Sequence, residues 1–374
     1  MKNKKLVFIC GSADALVRFR LDFIKALQAN SYDVIAFFPE GREEFLQTLE
    51  DIGVEYQIIS FKRKSVSPLD SIVSIINIKK QLLEIKPDIV FSFTHKSVVI
   101  GSICAKLARV PCIYSMITGT GHIFERDSFV SRIKRIFGII GFKISLRLNT
   151  KIFFQNPDDI NLFLKLSIIN KQNIVLINGS GVNLDQFPVT PLPDAPIFMC
   201  MARLIKSKGL IEYAKAAAIL REQHPDAKFL LYGFPDDHSD SIDEKEIKSD
   251  WFSKFGIEYL GFSDNPTKAI SKCSIYVLLS YNEGTPRSVL EAMSMGRPII
   301  TTDVSGCRET VVHKRNGFLV KLKDPTDAAN AMKVFMKKGI REKMGIESRK
   351  YCKEKFNVHD VNQILLDTIK LNYK

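Results

Sequence analysis

Two carboxylates eight positions apart, Glu283 and Glu291, carry the most chemistry in this chain. They bracket Glu283-Gly284-Thr285-Pro286-Arg287-Ser288-Val289-Leu290-Glu291, which follows the apolar run Cys273–Leu279. Such a run reads as a buried strand. Thr285 is placed to cap a helix and Pro286 to open it, since a first-turn proline loses no hydrogen bond. Gly296 and Pro298 then stop that helix. A strand, a tight Glu-Gly loop and a helix pointing unpaired N–H groups outward make a seat for a phosphate. Glu283 falls beside that seat and Glu291 is expected about two turns along the helix. Carboxylates so spaced can accept from hydroxyls at the two ends of a sugar nucleotide. A helix with an acidic loop and a solvated glutamate is the plainer alternative for the same residues.

Cations stand at a second loop. The run Phe198-Met199-Cys200-Met201 leads into Ala202-Arg203-Leu204-Ile205-Lys206-Ser207-Lys208-Gly209. Arg203 and Lys208, fixed at the end of a strand, can neutralise the charge growing on a diphosphate leaving group. Gly233 and Gly261-Phe262 end the next two strands, where a missing side chain lets a backbone approach a base or a diphosphate. For Gly233 a tight turn explains the glycine equally well.

The Glu-x7-Glu spacing with Gly-Thr-Pro inside it, after an apolar strand, resembles the signature of the family-4 retaining glycosyltransferases. The resemblance extends over nearly the whole chain. It implies a catalytic set of Glu283, Arg203 and Lys208, with the cations on the diphosphate and Glu283 on hydroxyls of the transferred sugar. It further implies Glu291 on the ribose, the Phe262 backbone beside the nucleobase, and backbone groups of Gly284, Thr285 and Pro286 on sugar and phosphate. Gly306-Cys307-Arg308-Glu309, read as the start of the next helix, completes that wall. Family members retain anomeric configuration without an enzymic nucleophile, the leaving diphosphate assisting the acceptor hydroxyl as base.

The first half carries fewer signals. Gly11-Ser12-Ala13-Asp14 follows the first strand and precedes a helix with Arg18 and Arg20, and Gly11 lets that loop pass close beneath a donor phosphate or sugar. Phe93-Thr94-His95-Lys96-Ser97 resembles a family segment leading into the cleft; His95 serves either an acceptor or a cap. Many relatives place a histidine immediately before the first glycine of Thr118-Gly119-Thr120-Gly121-His122. Thr118 stands there instead, a departure shared with a subgroup acting on polyprenyl-diphosphate-linked glycans, and His122 need not replace it. No Ser-His-Asp set or hydrolase carboxylate pair can be assembled from the remainder.

These residues need rigid strand ends to hold them. Short apolar runs alternate with amphipathic stretches throughout, which predicts α/β architecture with parallel sheets. Expected strands are Leu6–Cys10, Asp33–Phe38, Tyr56–Ile59, Ile89–Phe93, Cys112–Met116, Lys151–Phe154 and Ile174–Ile177. After Pro188, Pro191, Pro193 and Pro196 the pattern restarts with Ile197–Cys200, Lys228–Tyr232, Ile257–Leu260, Ile275–Leu279 and Pro298–Thr301. The expectation is two doubly wound Rossmann-like domains facing across a cleft, the GT-B arrangement of the family. Residues 1–190 form an acceptor-binding domain and 191–355 a nucleotide-sugar-binding one. A last helix within 356–374 crosses back to the first.

Composition fits a soluble globular protein of 374 residues, 45% apolar and 25% charged. The net charge of +13 is densest at 126–147, where Arg126, Arg132, Lys134, Arg135, Lys143 and Arg147 interleave with Phe129, Ile133, Ile136, Phe137, Ile139, Ile140, Phe142 and Ile144. That composition suits docking on an anionic inner-membrane surface, against the alternative of a half-buried helix whose cations face water. Neither an RNA-binding aromatic motif nor a DNA-binding helix pair is present, so no nucleic-acid partner is expected. Seven scattered cysteines without a CxxC pair read as reduced core residues. The start, Met1 to Cys10, is too briefly apolar for a signal peptide and reads as a first strand. The acidic stretch Pro235-Asp236-Asp237-His238-Ser239-Asp240 reads as a solvated loop rather than a metal site, and neither a metal nor a cofactor is expected. The chain is therefore expected in the cytoplasm, peripheral to the membrane. The function expected is transfer of a hexose or N-acetylhexosamine from a UDP-sugar to a lipid-linked saccharide. A UDP-sugar epimerase or hydrolase and a non-catalytic nucleotide-sugar-binding scaffold are the rivals.

Overall fold

The computed structural model describes residues 3–61, 68–120, 129–236 and 240–372. The chain divides into two units, residues 1–180 with 359–374, and residues 181–358. Both division points lie in short backbone passages near Gly181 and Val358, and the first precedes the proline-rich stretch by about ten residues.

The first unit runs β1 (Lys4–Ile9), α1 (Ala13–Ala29), β2 (Tyr32–Phe38), α2 (Glu43–Asp51), β3 (Glu55–Ile58), α3 (Pro68–Ile85), β4 (Ile89–Phe93), α4 (His95–Leu107), β5 (Cys112–Ile117), α5 (Phe129–Leu146), β6 (Lys151–Phe154), α6 (Pro157–Lys165) and β7 (Ile174–Leu176). Its strands form one parallel sheet in the order β3-β2-β1-β4-β5-β6-β7. Alternation along each strand divides the core. Leu6 and Phe8 join Val34, Ala36, Phe38 and Phe91 on one face under α1 and α2. Val7 and Ile9 join Ile35, Phe37 and Val90 on the other, under α3 and α4. Burial on both faces is why these strands are nearly continuous apolar runs.

The second unit runs β8 (Ile197–Met201), α7 (Leu210–Gln223), β9 (Lys228–Tyr232), α8 (Glu244–Phe255), β10 (Ile257–Tyr259), α9 (Pro266–Ile270), β11 (Ile275–Leu278), α10 (Arg287–Ser294), β12 (Ile299–Thr302), β13 (Gly317–Val320), α11 (Pro325–Val334) and α12 (Lys338–Phe356). Its parallel sheet has the order β10-β9-β8-β11-β12-β13. Strand β13 was not foreseen. It is only four residues long and opens on Gly317, whose Cα faces the Ile299 backbone so closely that any side chain would collide.

The last helix, α13 (Val358–Asn372), returns to the first unit. Val361, Leu365, Leu366 and Ile369, spaced along one helical face, enter the core beneath β1 and β4.

In each sheet the strand order reverses once, between β1 and β4 and between β8 and β11. Adjacent strands whose following loops diverge leave an opening above their carboxyl ends, which is where doubly wound sheets hold ligands.

Candidate active site

The second unit's reversal point brings the two candidate loops together. The loop after β8 carries Arg203 and Lys208, and the loop after neighbouring β11 carries Glu283. Lys208 Nζ donates to Glu283 Oε1, and both side chains are largely buried, at 17% and 14% exposure. Shielding of this degree raises the electrostatic worth of the contact well above that of a surface pair.

Backbone contacts fix the geometry from three sides. Ser207 O accepts from Tyr281 N at 2.8 Å and from Ser280 Oγ at 3.2 Å, lacing the two loops together. Gly209, at φ 71°, sits just before α7 in the left-handed region while its Cα lies against the Leu279 carbonyl. A side chain there has neither the conformation nor the space. From the β12 side, Ser305 O accepts from Glu283 N at 3.2 Å, and Gly306, at φ 74°, packs its Cα against the Glu283 and Gly284 carbonyls. Gly306 thus supports the glutamate loop from the β12 side. The residues after it form a single 3-10 turn over Arg308–Thr310 rather than the start of a helix, and Arg308 Nε pairs with Asp303 at 2.8 Å.

Arg203 lies in the same loop as Lys208 but on another partner: its guanidinium donates to Asp236 Oδ2. Asp240 Oδ2 accepts from Ser207 N at 3.0 Å and Asp240 O from Lys206 N at 2.9 Å. The acidic stretch is therefore not simply a solvated loop. Its two ends brace the cationic loop, with Asp237, His238 and Ser239 outside the described residues.

The helix after Glu283 differs from expectation at its start. Pro286 occupies the cap position, at φ −71° and ψ 110°, and α10 begins at Arg287. Thr285 Oγ1 bonds to the Gly284 carbonyl instead of capping the helix, at 3.0 Å. Glu291 is consequently the fifth helical residue, little more than one turn from the start. It pairs on its own helix with Arg287, whose Nε lies 3.1 Å from Glu291 Oε1, and not with Lys208 or Arg203.

Beyond the reversal point, Gly233 N donates to Gly261 O at 2.9 Å, and Tyr259 Oη to Gly233 O at 3.0 Å. The Cα of Gly233 faces the Ala202 carbonyl and Leu204, so packing within the sheet's end already demands a glycine. Phe262 meets Phe234 edge to face, with centroids 5.6 Å apart and both rings about 40% exposed.

The first unit shows the same arrangement in miniature. Gly11 follows β1 and Thr94 follows neighbouring β4; a Cβ at Gly11 would stand 3.2 Å from Thr94 Oγ1. Ser12 caps α1 by accepting from Ala15 N. The His95 ring lies with Nε2 at 2.6 Å from the Gly119 carbonyl and packs edge-on against Phe142. Thr118 directly follows β5, while His122 lies outside the described residues.

Helix α5 presents apolar side chains outward. Ile136, Phe137, Ile140 and Ile144 are 56%, 70%, 48% and 55% exposed, next to exposed Arg147, while Phe142 and Leu146 reach the core. The described part of this helix is half-buried, with an outward face that is largely apolar. Arg126 and Asp127 fall outside the described residues. Among the described residues no helix is long and apolar enough to cross a membrane.

Two family models divide the sequence between them. Residues 8–156 match the family described as glycosyl transferase 4-like, and residues 183–355 match glycosyl transferases group 1. The chain is a family-4-like glycosyltransferase. Its two parallel-sheet units have the GT-B architecture, as in Anabaena HepE solved in complex with UDP, which superimposes with a TM-score of 0.79 at 17% identity over 98% of this chain and 99% of that one. Among curated relatives, the N,N'-diacetylbacillosaminyl-diphospho-undecaprenol alpha-1,3-N-acetylgalactosaminyltransferase of Campylobacter jejuni is 25% identical over 98% of both chains. The UDP-Gal:alpha-D-GlcNAc-diphosphoundecaprenol alpha-1,3-galactosyltransferase of Escherichia coli is 26% identical over 72% of this chain and 71% of its own.

Four features of the glycosyltransferase's site escaped the sequence reading: the Arg287–Glu291 pair, the Asp236 partner of Arg203, the Asp240 brace, and Tyr281, which donates to Glu212 at 2.8 Å beneath the Lys323 cation. Only the first left a signal, an arginine four residues before a glutamate on a helix.

Proposed function

We propose that this glycosyltransferase moves a hexose or N-acetylhexosamine from a UDP-sugar, with retention, onto a saccharide carried on a lipid diphosphate. The observation that carries the reading is the Lys208–Glu283 contact at the β8/β11 reversal point. A cation and a carboxylate side by side at the carboxyl ends of β8 and β11 support cleavage of a sugar diphosphate there. Lys208 and Arg203 take the charge that develops on the diphosphate as the C1–oxygen bond breaks, and Glu283 holds hydroxyls of the departing sugar. The acceptor hydroxyl attacks C1 from the face the leaving group vacates, and its proton passes to a diphosphate oxygen. Positioning and charge stabilisation are then the protein's whole contribution. Glu291 takes the ribose hydroxyls; Gly233 and Phe262 line the base, and Gly284, Thr285 and Pro286 the sugar and phosphate. The first unit, with Gly11 at its own reversal point, receives the acceptor.

The names of the two curated relatives support a diphospho-undecaprenol acceptor and, for one of them, a UDP-linked donor. The outward apolar face of α5, with Arg147 beside it, supports docking at an anionic membrane surface where such a lipid resides. Ile72, Val73 and Ile76 of α3 are likewise exposed, and α4 packs against both helices.

The test is incubation of purified protein with bacterial lipid extract and a panel of radiolabelled UDP- and GDP-sugars. Label is expected in the organic phase, with UDP released only when lipid acceptor is present. UDP release without acceptor assigns a hydrolase instead.

A further inference from the structure

We propose that Arg287 is a positioning residue that aims Glu291 at the donor ribose by anchoring it to the backbone at Gly181. The inference deepens the reading above and rests on the ribose role given there to Glu291.

Three observations carry it. Arg287 Nε stands 3.1 Å from Glu291 Oε1 and Arg287 Nη1 donates to Gly181 O at 2.7 Å. Two partners on different nitrogens of a planar guanidinium fix the plane as well as the place of the cation. Second, Gly181 is itself immobilised. It sits at φ 68° with its Cα against the Val358 backbone, and the adjacent passages are stitched by Val182 N to Phe356 O at 2.7 Å and Val358 N to Val182 O at 3.1 Å. A side chain at 181 would force these backbones apart. Third, the pair is shielded, at 15% and 13% exposure, unlike the solvent-exposed i,i+4 pairs that contribute little.

The consequence is specific. Arg287 opens α10 and Glu291 is its fifth residue, so the helix alone leaves the glutamate side chain several rotamers. The chain Gly181–Arg287–Glu291 selects one. A carboxylate so held accepts from a ribose hydroxyl without first losing its own rotational freedom, and a nucleotide lacking that hydroxyl gains nothing from it.

The experiment compares binding of UDP and 2′-deoxy-UDP by titration calorimetry in wild type, Arg287→Gln, Arg287→Lys, Glu291→Gln and the double variant Arg287→Gln/Glu291→Gln. Wild type is expected to prefer UDP by about tenfold or more, the size of one hydrogen bond to a charged group. Arg287→Gln is expected to reduce that preference below about threefold, the double variant showing no further loss beyond either single one. Arg287→Lys keeps a charge and the fold but cannot span both partners in one plane, so it is expected to behave as Arg287→Gln. Retention of the tenfold preference in either Arg287 variant overturns the positioning role and leaves the ribose reading intact. Equal binding of the two nucleotides by wild type overturns both.

Discussion

Lys208 and Glu283 are opposite charges in contact, mostly withdrawn from water, in a place where a charged substrate is proposed to bind. Replacing either one alone leaves the survivor as a poorly solvated charge, whereas replacing both removes the problem. Lys208→Met and Glu283→Gln are each expected to melt several degrees below wild type, and the double variant above the worse single one. Turnover should not follow. All three variants are expected to lose about 10²–10³-fold in kcat, the usual cost of removing one group that stabilises developing charge. Differential scanning fluorimetry beside the transfer assay checks both; a double variant that recovered activity with its stability would make the pair purely structural. Arg203→Ala is expected to lower kcat with little thermal effect, since its side chain is 40% exposed. These residue types and spacings were legible in the sequence because the strand–loop–helix pattern is local. Their partners were not. Asp236 is 33 residues from Arg203, and only the parallel pairing of β8 with β9 brings them together.

At the scale of elements, the site is a set of loops locked by glycines. Gly306 supports the Glu283 loop at a positive φ and at a distance no Cβ tolerates. Gly306→Ala is expected to cost about 1–3 kcal/mol of stability from backbone strain and to displace the Glu283 loop. Urea denaturation reads the first effect and the KM for donor the second. Strand positions were readable from apolar runs because both sheet faces are buried, so even Tyr276 and Tyr114 look like core. The start of α10 was misread because Thr-Pro is a common helix opening, yet Thr285 turns its hydroxyl to the neighbouring carbonyl and the proline takes the cap. Helix α5 offered composition without direction, and only its packing shows which side chains point outward. Phe137→Glu with Ile140→Glu is expected to reduce cosedimentation with phosphatidylglycerol vesicles at least severalfold while leaving the melting temperature within about two degrees, because both positions are exposed. Undiminished sedimentation would remove α5 from the membrane surface.

Across the whole molecule, the chain leaves its first unit at residue 180 and re-enters it at 359, so that unit's core is completed by residues distant in sequence. Deleting residues 358–374 strips Val361, Leu365, Leu366 and Ile369 from beneath β1 and β4. At roughly 1.5–3 kcal/mol for each buried apolar side chain, the loss approaches the entire stability of an ordinary domain. The truncated protein is expected in the insoluble fraction. Alkali is expected to weaken the fold. Burial pushes the thiols of Cys10, Cys104, Cys200, Cys273, Cys307 and Cys352 up to about 12. The folded state therefore keeps these groups neutral while the unfolded chain ionises them near 9. Their contribution is complete below pH 9 and drains away as pH rises from 9 toward 12, so unfolding free energy measured by urea should fall steadily across that window.

The seven cysteines have one more use. All are buried, and maleimide chemistry needs an accessible thiolate. One cysteine substituted at a surface position, Ile140 for instance, becomes the single reactive handle on an otherwise native background. A fluorophore attached there can report contact with lipid without the seven-fold replacement that such labelling ordinarily requires.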